Sequence, residues 1–317
     1  MPRCPECNSS GVSLQFKSPD RIFNISGDFS LYYCKVCALS FIWPQPSPQV
    51  LTRHYPENYE VYSDFTSTPP NNRKLRGFIF RKTLGFFFNY GPRHFWQFIF
   101  LPYVYRVAHY PSFIKHGNVL DVGCGNGRLL ADLERLGWQG QGIDMSEQAV
   151  AIAKKHGLNV QVGTLPNKSL PSGVFDAVIL HHVLEHLPEP KVILGELYRL
   201  LKPGGQLIIT VPNTRSLMAN IFGSNWFSHE IPRHIFGYTA YALKRLLRDT
   251  KFVPEHIIYA GFLESLPQSL GLCYPYLRSA SRLGAIGRVS NVVGLLLGPV
   301  ADILRIADTI TIRARKT

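Results

Sequence analysis

The stretch Asn118-Val-Leu-Asp-Val-Gly-Cys-Gly-Asn-Gly127 constrains the fold of this chain more than any other. Val119 and Leu120 read as the end of a buried strand, and Arg128-Leu129-Leu130 opens a helix with apolar spacing. Between them Gly123, Gly125 and Gly127 permit a sharp turn and close approach of the backbone to a bound molecule, because glycine carries no Cβ. A strand, a glycine turn and a helix in this order predict a ligand site at the edge of an α/β sheet.

Gly-x-Gly-x-Gly resembles the dinucleotide fingerprint, whose helix N-terminus receives a pyrophosphate. Here the glycine spacing is tighter, and Asp121 stands two residues before the first glycine. An acid at that place repels a phosphate and suits a cation. A cationic, phosphate-free ligand that carries a ribose fits better, and S-adenosylmethionine is the obvious candidate. Residues 140–143 read as a second strand ending on Asp144, about twenty residues past the glycine turn, where open α/β sheets grip a ribose diol. Ser146-Glu147 then starts a helix as an N-cap with an acidic first turn.

The alternation continues. Leu158 to Val162, Val174 to Leu180 and Gln206 to Val211 read as further strands, with helices beginning near Glu147, Val183 and Pro190. Strands alternating with helices imply a parallel sheet covered on both faces. Ligands of such sheets sit beyond the carboxyl ends of the strands, and Asp121, Asp144, Gly163 and His181 all fall on such ends.

On these residues the segment from about 117 to 255 resembles a class I S-adenosylmethionine-dependent methyltransferase of the small-molecule branch, which includes ubiquinone-biosynthesis O-methyltransferases and enzymes of glycan clusters. The matching residues are Asp121 to Gly127, Gly142-Ile143-Asp144, Phe175-Asp176, His182 to Leu187, Leu200 to Gly205, Val211-Pro212-Asn213 and Pro232-Arg233-His234. The resemblance implies a Rossmann-like, doubly wound, mostly parallel seven-stranded sheet. It also implies roles: Gly123 and Gly125 along the methionine moiety, Asp121 toward its amino group, Asp144 at the ribose hydroxyls, and Cys124, Gly127 and Met145 among the cofactor-binding residues. Thr164 and Leu165 would lie along the adenine, and His181 near the methionine end. Many relatives carry an Asp or Asn just after the third strand, where this chain has Gly163-Thr164, so a backbone group or the Thr164 hydroxyl must substitute.

Methyl transfer from a sulfonium is an in-line displacement, in which the enzyme mainly positions the acceptor. A poorly acidic acceptor also needs a base. The loop from Asn213 to Tyr238 supplies candidates in His229, Glu230, Arg233 and His234, with Trp226, Phe227 and Phe236 around them. His234 is the expected base, with His229 and His181 as alternatives. His182, Glu185 and His186 share a helix face by spacing; that trio can bind a metal, but lining the site and packing the sheet is the simpler role. Lys202-Pro203-Gly204-Gly205 reads as a helix end and glycine turn.

The N-terminus reads as a separate unit. Cys4-x2-Cys7 and Cys34-x2-Cys37 form two tight thiolate knuckles, the pattern of a zinc ribbon with a slightly long intervening span. Four cysteines close a tetrahedral ion, so the zinc is expected to be structural. A disulfide reading requires an oxidising compartment, and no signal peptide precedes Cys4. Residues 38–72 read as a linker, with Pro44, Pro46 and Pro48 preventing regular structure; residues 54–62 are expected to close over the cofactor. The expected units are thus a ribbon at 1–45, a linker and basic-aromatic helical segment at 46–116, the cofactor domain at 117–255, and an apolar helical extension at 256–317 that returns to a final strand.

The net charge of +13 lies in the flanks of the cofactor domain, which is itself nearly neutral. Residues 73–116 combine Arg73, Lys74, Arg76, Arg81 and Lys82 with Phe86 to Phe88, Phe95-Trp96 and Phe98 to Tyr105, while 262–301 are apolar and carry Arg278, Arg282 and Arg288. Neither contains the roughly twenty uninterrupted apolar residues of a membrane span. Their helices are expected to cap the active site, form a lid or homodimer face, or lie in a membrane interface. Basic charge with a zinc ribbon also describes RNA methyltransferases. Against that reading, Leu180-His181-His182-Val183 stands where amino-directed base methylases carry an Asn/Asp-Pro-Pro-aromatic motif. The expected acceptor is therefore a small molecule, a sugar or a lipid-linked glycan intermediate, with an RNA-directed methyltransferase as one alternative. The expected place is the cytoplasm or the inner face of its membrane. A catalytically silent module that only binds the cofactor is the remaining alternative.

Overall fold

Among the described residues, eleven strands form two sheets. The computed structural model describes residues 2–55, 73–92, 94, 97 and 101–317, with the side chains of 73–77, 101 and 280 left aside. The first sheet comprises β1 (Val12–Ser18), β2 (Phe29–Cys34) and β3 (Ser40–Ile42). The second begins with β4 (Asn118–Val122), β5 (Gln139–Asp144), β6 (Val160–Val162), β7 (Phe175–His181) and β8 (Leu201–Pro212). The two-residue β9 (Phe236–Gly237) then joins the first sheet, and β10 (Phe252–Ala260) and β11 (Thr309–Lys316) complete the second.

The large sheet has the order β10-β11-β8-β7-β4-β5-β6. Strands β8, β7, β4, β5 and β6 are parallel neighbours, and β11 inserts antiparallel between β8 and β10. The expected seven-stranded, mostly parallel α/β sheet is present, beside a small antiparallel one. Central strands read as near-continuous apolar runs because both faces are covered. On one face Val119, Ala177, Ile179 and Ile208 pack with Leu84, Phe88 and Val104. On the other, Leu120, Val178, Leu180 and Ile209 pack with Leu194, Leu197, Leu243 and Leu247.

The helices are α1 (Pro48–Arg53), α2 (Arg73–Phe88), α3 (Leu101–Val107), α4 (Arg128–Arg135), α5 (Glu147–Lys155), α6 (Pro190–Leu200), α7 (Leu217–Phe222), α8 (Ala240–Asp249), α9 (Leu266–Cys273) and α10 (Ala280–Ile303). Ser146 caps α5 by accepting from the Ala149 N–H at 3.1 Å, as its position predicts.

Four expectations are corrected. Pro48 does not prevent regular structure: it occupies the first turn of α1, where a missing N–H costs nothing, and Ser47 caps it. β3 also lies within the supposed linker. No α-helix begins at Val183; His182 takes a left-handed φ of 57° and only a single 3-10 turn, Leu184–His186, follows. The boundary drawn at 255 falls inside β10, and β11 of the C-terminal extension is hydrogen-bonded on both sides within the sheet. Finally, Ser281–Ile303 is long and apolar enough to cross a membrane by length and composition, with a mean hydropathy of 1.5. Most of the segment 54–62, the stretch 66–72, and Phe95, Trp96 and Phe98 to Phe100 lie outside the described residues.

The small sheet does not stand apart from the large one. β3 pairs with β9, which belongs to the loop after β8. Cys4, Cys34, Cys37, Leu39 and Phe41 share one core with Leu180, Leu184, Ile235 and Phe236.

Candidate functional site

Parallel pairing places the ends of β4 and β5 side by side, with Asp121 opposite Gly142 and Val122 opposite Ile143. The glycine turn begins there. Gly123, Gly125 and Gly127 all have left-handed φ, 70°, 52° and 83°, which L side chains rarely adopt. The N–H groups of Gly123 and Cys124 both donate to the Ile143 carbonyl, at 2.8 and 3.2 Å, pinning the turn to β5. A Cβ on Gly123 would meet Val183 Cγ2 at 2.4 Å, and one on Gly127 would meet Leu158 Cδ1 at 2.4 Å. Gly127 therefore serves helix–sheet packing as well as the turn.

Asp144 joins two loops. Its Oδ2 accepts from the Gly125 N–H and its Oδ1 from the Ser146 N–H, each at 2.8 Å. Gly163 in turn donates to the Asp144 carbonyl at 2.9 Å, drawing the loop after β6 to the same place. Met145 and Thr164 are exposed there and Leu165 is half-buried. Asp121 is 2% exposed. Burial, with the neighbouring Asp144 charge, pushes its carboxyl up to about 8. A buried carboxylate beside a second acid is a receptor for a cation. The expected cofactor residues Asp121 to Gly127, Asp144, Met145, Thr164 and Leu165 are thus gathered by three adjacent strand ends.

The second part of the site is a cluster of imidazoles. His181 ends β7, and its ring stands 4.5 Å from His109 and 4.7 Å from His182, centroid to centroid. Burial first, then the charges of His109 and His182, hold His181 well below the ordinary histidine range. Burial likewise lowers His109 to about 4. His109, just after α3, carries no sequence signal of its own; only the packing of the helical segment against the sheet brings it here.

Beyond them, His182 Nδ1 lies 3.3 Å from Glu185 Oε1. Burial opposes protonation of His182, but the Glu185 hydrogen bond and charge prevail and raise it above the usual value. Glu185 is 1% exposed, and its Oε2 has no hydrogen-bond partner among the described residues. His186 and His234 pack ring to ring at 4.5 Å. His234 Nδ1 is 2.9 Å from the Ser228 carbonyl and His186 Nδ1 is 3.1 Å from the Arg233 carbonyl. A carbonyl only accepts, so His234 Nδ1 carries the hydrogen and its Nε2 lone pair is left available, while His186 Nδ1 also meets the Tyr55 hydroxyl at 2.9 Å. Ligand atoms of Glu185, His186 and His234 lie within 4.8 Å of one another, close enough to share a cation. Tertiary folding selects this trio in place of the helix-face set His182, Glu185 and His186.

The loop after β8 divides between site and scaffold. His229 sits between the edges of Phe16 and Trp226, each ring 5.0 Å away, and burial lowers it to about 4. Trp226 is buried and donates from Nε1 to Ser265 Oγ at 2.9 Å. Arg233 does not face the site: it is fully buried, pairs with Asp20 at 2.7 Å and Glu230 at 2.8 Å, donates to the His54 carbonyl, and stacks over Phe23. Its chemistry is structural because an isolated guanidinium cannot be buried without such partners.

At the other end of the small sheet, Cys4, Cys7, Cys34 and Cys37 place all four Sγ atoms within 4.8 Å of one another. None is in a disulfide. The two knuckles repeat one geometry: Asn8 donates to the Cys4 carbonyl and Ala38 to the Cys34 carbonyl, each at 2.9 Å. Asn8 and Ala38 take left-handed φ values of 55° and 56°. Four thiolates on paired turns fit a tetrahedral ion.

A glycine turn pinned to the next strand, a buried acid before it and a second acid beyond it define a class I S-adenosylmethionine-dependent methyltransferase domain. The chain belongs to the methyltransferase-domain family, whose model matches residues 96–257, about half of its length. It is similar to the ubiquinone biosynthesis O-methyltransferase of Xanthomonas oryzae pv. oryzae (strain PXO99A), 36% identical over 129 residues that cover 38% of this chain and 54% of that protein. The protein of the same description from Dechloromonas aromatica (strain RCB) is 31% identical over 153 residues, covering 44% of this chain and 66% of that one. The chain thus spans about half the length of the curated relatives it matches. Among solved structures, a possible histamine N-methyltransferase from Thermotoga maritima is 19% identical, with a TM-score of 0.47, covering 70% of this chain and 95% of that one.

Proposed function

We propose that this protein transfers a methyl group from S-adenosylmethionine to an oxygen of a small molecule, a sugar or a lipid-linked glycan intermediate. The observation that carries this reading is Asp121, a buried carboxylate raised to about 8 beside a glycine turn, for which a cationic amino group is the fitting partner. Asp121 and the turn would hold the methionine end, Asp144 the ribose through the lone pairs its backbone partners leave free, and Thr164 and Leu165 the adenine. When bound, the cofactor supplies a sulfonium methyl open to in-line displacement, and S-adenosylhomocysteine leaves.

His234 is the base this geometry favours. Its Nδ1–H is held by Ser228, so Nε2 takes the acceptor's hydroxyl proton while the oxygen gains the methyl. Burial lowers the free imidazole to about 3. Glu230 at 3.4 Å and Glu185 at 3.9 Å stand ready to stabilise the imidazolium. The charges of His186 and His182 oppose protonation of His234 as those of His109 and His182 do for His181, but His234 also has Glu185 to favour it, and His229 is boxed by Phe16 and Trp226. His181 instead lines the methionine end. The four cysteines would hold a structural zinc.

Calorimetry with S-adenosylmethionine and S-adenosylhomocysteine tests the donor site. Micromolar affinity for both is expected, and no measurable heat with either refutes the reading. The acceptor class is tested by following labelled methyl groups into glycan, lipid, RNA and protein fractions; label in RNA alone would exclude the proposed acceptor.

A further inference from the structure

The helix α10 is built inside out for a water-soluble protein. Its inner face is small: Ser290 and Ala301 are buried, and a Cβ on Gly294 would stand 2.3 Å from the Phe262 carbonyl oxygen. Gly287 faces Pro267 and Gly298 faces Tyr105 in the same row. Two residues on, about 200° around the helix, the large side chains Val289, Val292, Leu296, Val300 and Ile303 form a parallel row. These are 64%, 60%, 68%, 51% and 78% exposed. An amphipathic surface helix normally turns such residues inward, and a contiguous apolar stripe left outside marks an interaction surface.

The surroundings of the stripe select its occupant. Neither residues 73–116 nor 266–301 contains an Asp or Glu, and α3 packs against both α2 and α10. Exposed Arg278, Arg282 and Arg288 flank the N-terminal part of α10 beside exposed Tyr274 and Tyr276. At its C-terminal end an open groove of about 530 Å³ continues from Ile303 past Tyr241, Lys244 and Arg305, with Asp302 as its one acid. Apolar side chains bordered by arginines and tyrosines match the layering of an anionic bilayer surface, where acyl chains lie beneath charged headgroups.

We propose that α10 docks flat on an anionic membrane, with the row from Val289 to Ile303 entering the acyl boundary. Length and hydropathy alone would also allow a span. Packing excludes one. The helix is held along its length by Pro267, Phe262 and Tyr105, and β11, a few residues beyond it, lies inside the sheet. Both ends therefore belong to one folded body, whereas a span would part them by about 30 Å of hydrocarbon. Docking at α10 does not depend on the nature of the methyl acceptor.

The test is co-flotation of the full chain with vesicles of phosphatidylcholine, alone or with about a quarter phosphatidylglycerol. Binding to the anionic vesicles is expected. Val292→Asp with Leu296→Asp should weaken it about tenfold or more, because two exposed anchors are lost and charge is added. Arg282→Gln with Arg288→Gln should reduce the preference for phosphatidylglycerol. Both variants change exposed positions, so S-adenosylmethionine binding by calorimetry should match the parent and certify the fold. A parent chain that stays with the soluble fraction overturns the proposal, as does an Asp variant that floats like the parent. So does a parent dimer, seen by light scattering, that the Asp variant dissociates while neither binds vesicles; the stripe would then be covered by a second copy.

Discussion

Removing Asp20 should uncouple the cysteine-bearing sheet from the loop that carries His234. Asp20 and Arg233 are each fully buried, 2.7 Å apart, and 213 residues separate them in sequence. Arg233 lies next to His234 and also pairs with Glu230. Asp20→Asn would leave the guanidinium buried with Glu230 as its remaining counter-charge. Breaking a buried pair from one side costs about 3–5 kcal/mol, and the surviving partner argues for about 3. That is a large share of a typical stability of about 5–15 kcal/mol, and should lower the melting temperature by roughly 6–10 °C. Asp20→Leu with Arg233→Met should recover much of the loss, since matched apolar replacements of buried pairs are often neutral. Burial opposes the Asp20 charge, but the hydrogen bonds from Arg233 and His54 prevail and hold its pKa below the ordinary value. Its contribution is therefore present above the unfolded-state value near 4, and is lost as pH falls through the lower folded value. Urea unfolding of the three proteins between neutral pH and pH 3 measures both effects. A cost for Asp20→Asn below about 1 kcal/mol would falsify the claim that this pair clamps the loop.

Asp121→Asn should weaken S-adenosylmethionine roughly 10–100-fold by calorimetry, the value of one charge-assisted contact, while leaving the fold intact. Because Asp121 is raised to about 8 in the free protein, cofactor binding near neutral pH should release protons. Titrations in buffers of different ionisation enthalpy would detect that release, and equal heats in all buffers would count against the role. The same raised value means that Asp121 supports the free fold least at high pH: its contribution is full below about 4 and gone above about 8. Gly123→Ala should abolish cofactor binding, since its Cβ would collide with Val183 Cγ2 at 2.4 Å at a left-handed φ of 70°; calorimetry against the parent decides it. Metal analysis should return about one zinc per chain, lost on Cys34→Ser, and a folded, zinc-free parent would contradict the assignment.

The geometry of the proposed donor site was legible because its parts are close in sequence and each has a local cause. The glycines of 123–127 answer to backbone conformation, and Asp121 and Asp144 to strand ends some twenty residues apart. The paired Cys-x2-Cys knuckles were legible for the same reason. The acceptor side was not. His109 comes from the segment before the domain, and Arg233 reads as a candidate of the loop 213–238 until Asp20 is seen across the small sheet. Helical spacing also misread the stretch after β7, where the left-handed His182 breaks the period and a single 3-10 turn leaves Glu185 between His182, at 3.3 Å, and His234, at 3.9 Å.

Sequence by itself therefore determined most of the elements and the parallel sheet, and it marked the strand ends at which the cofactor is proposed to bind, since periodicity, glycine positions and strand ends are properties of short stretches. Tertiary structure alone decided three things: that β9 welds the loop after β8 to the cysteine-bearing sheet, that Glu185, His186 and His234 converge, and that α10 turns its large side chains outward. Each depends on which distant surfaces meet. Composition constrains that only through the total apolar area to be covered, and says nothing of which face of a helix finds a partner.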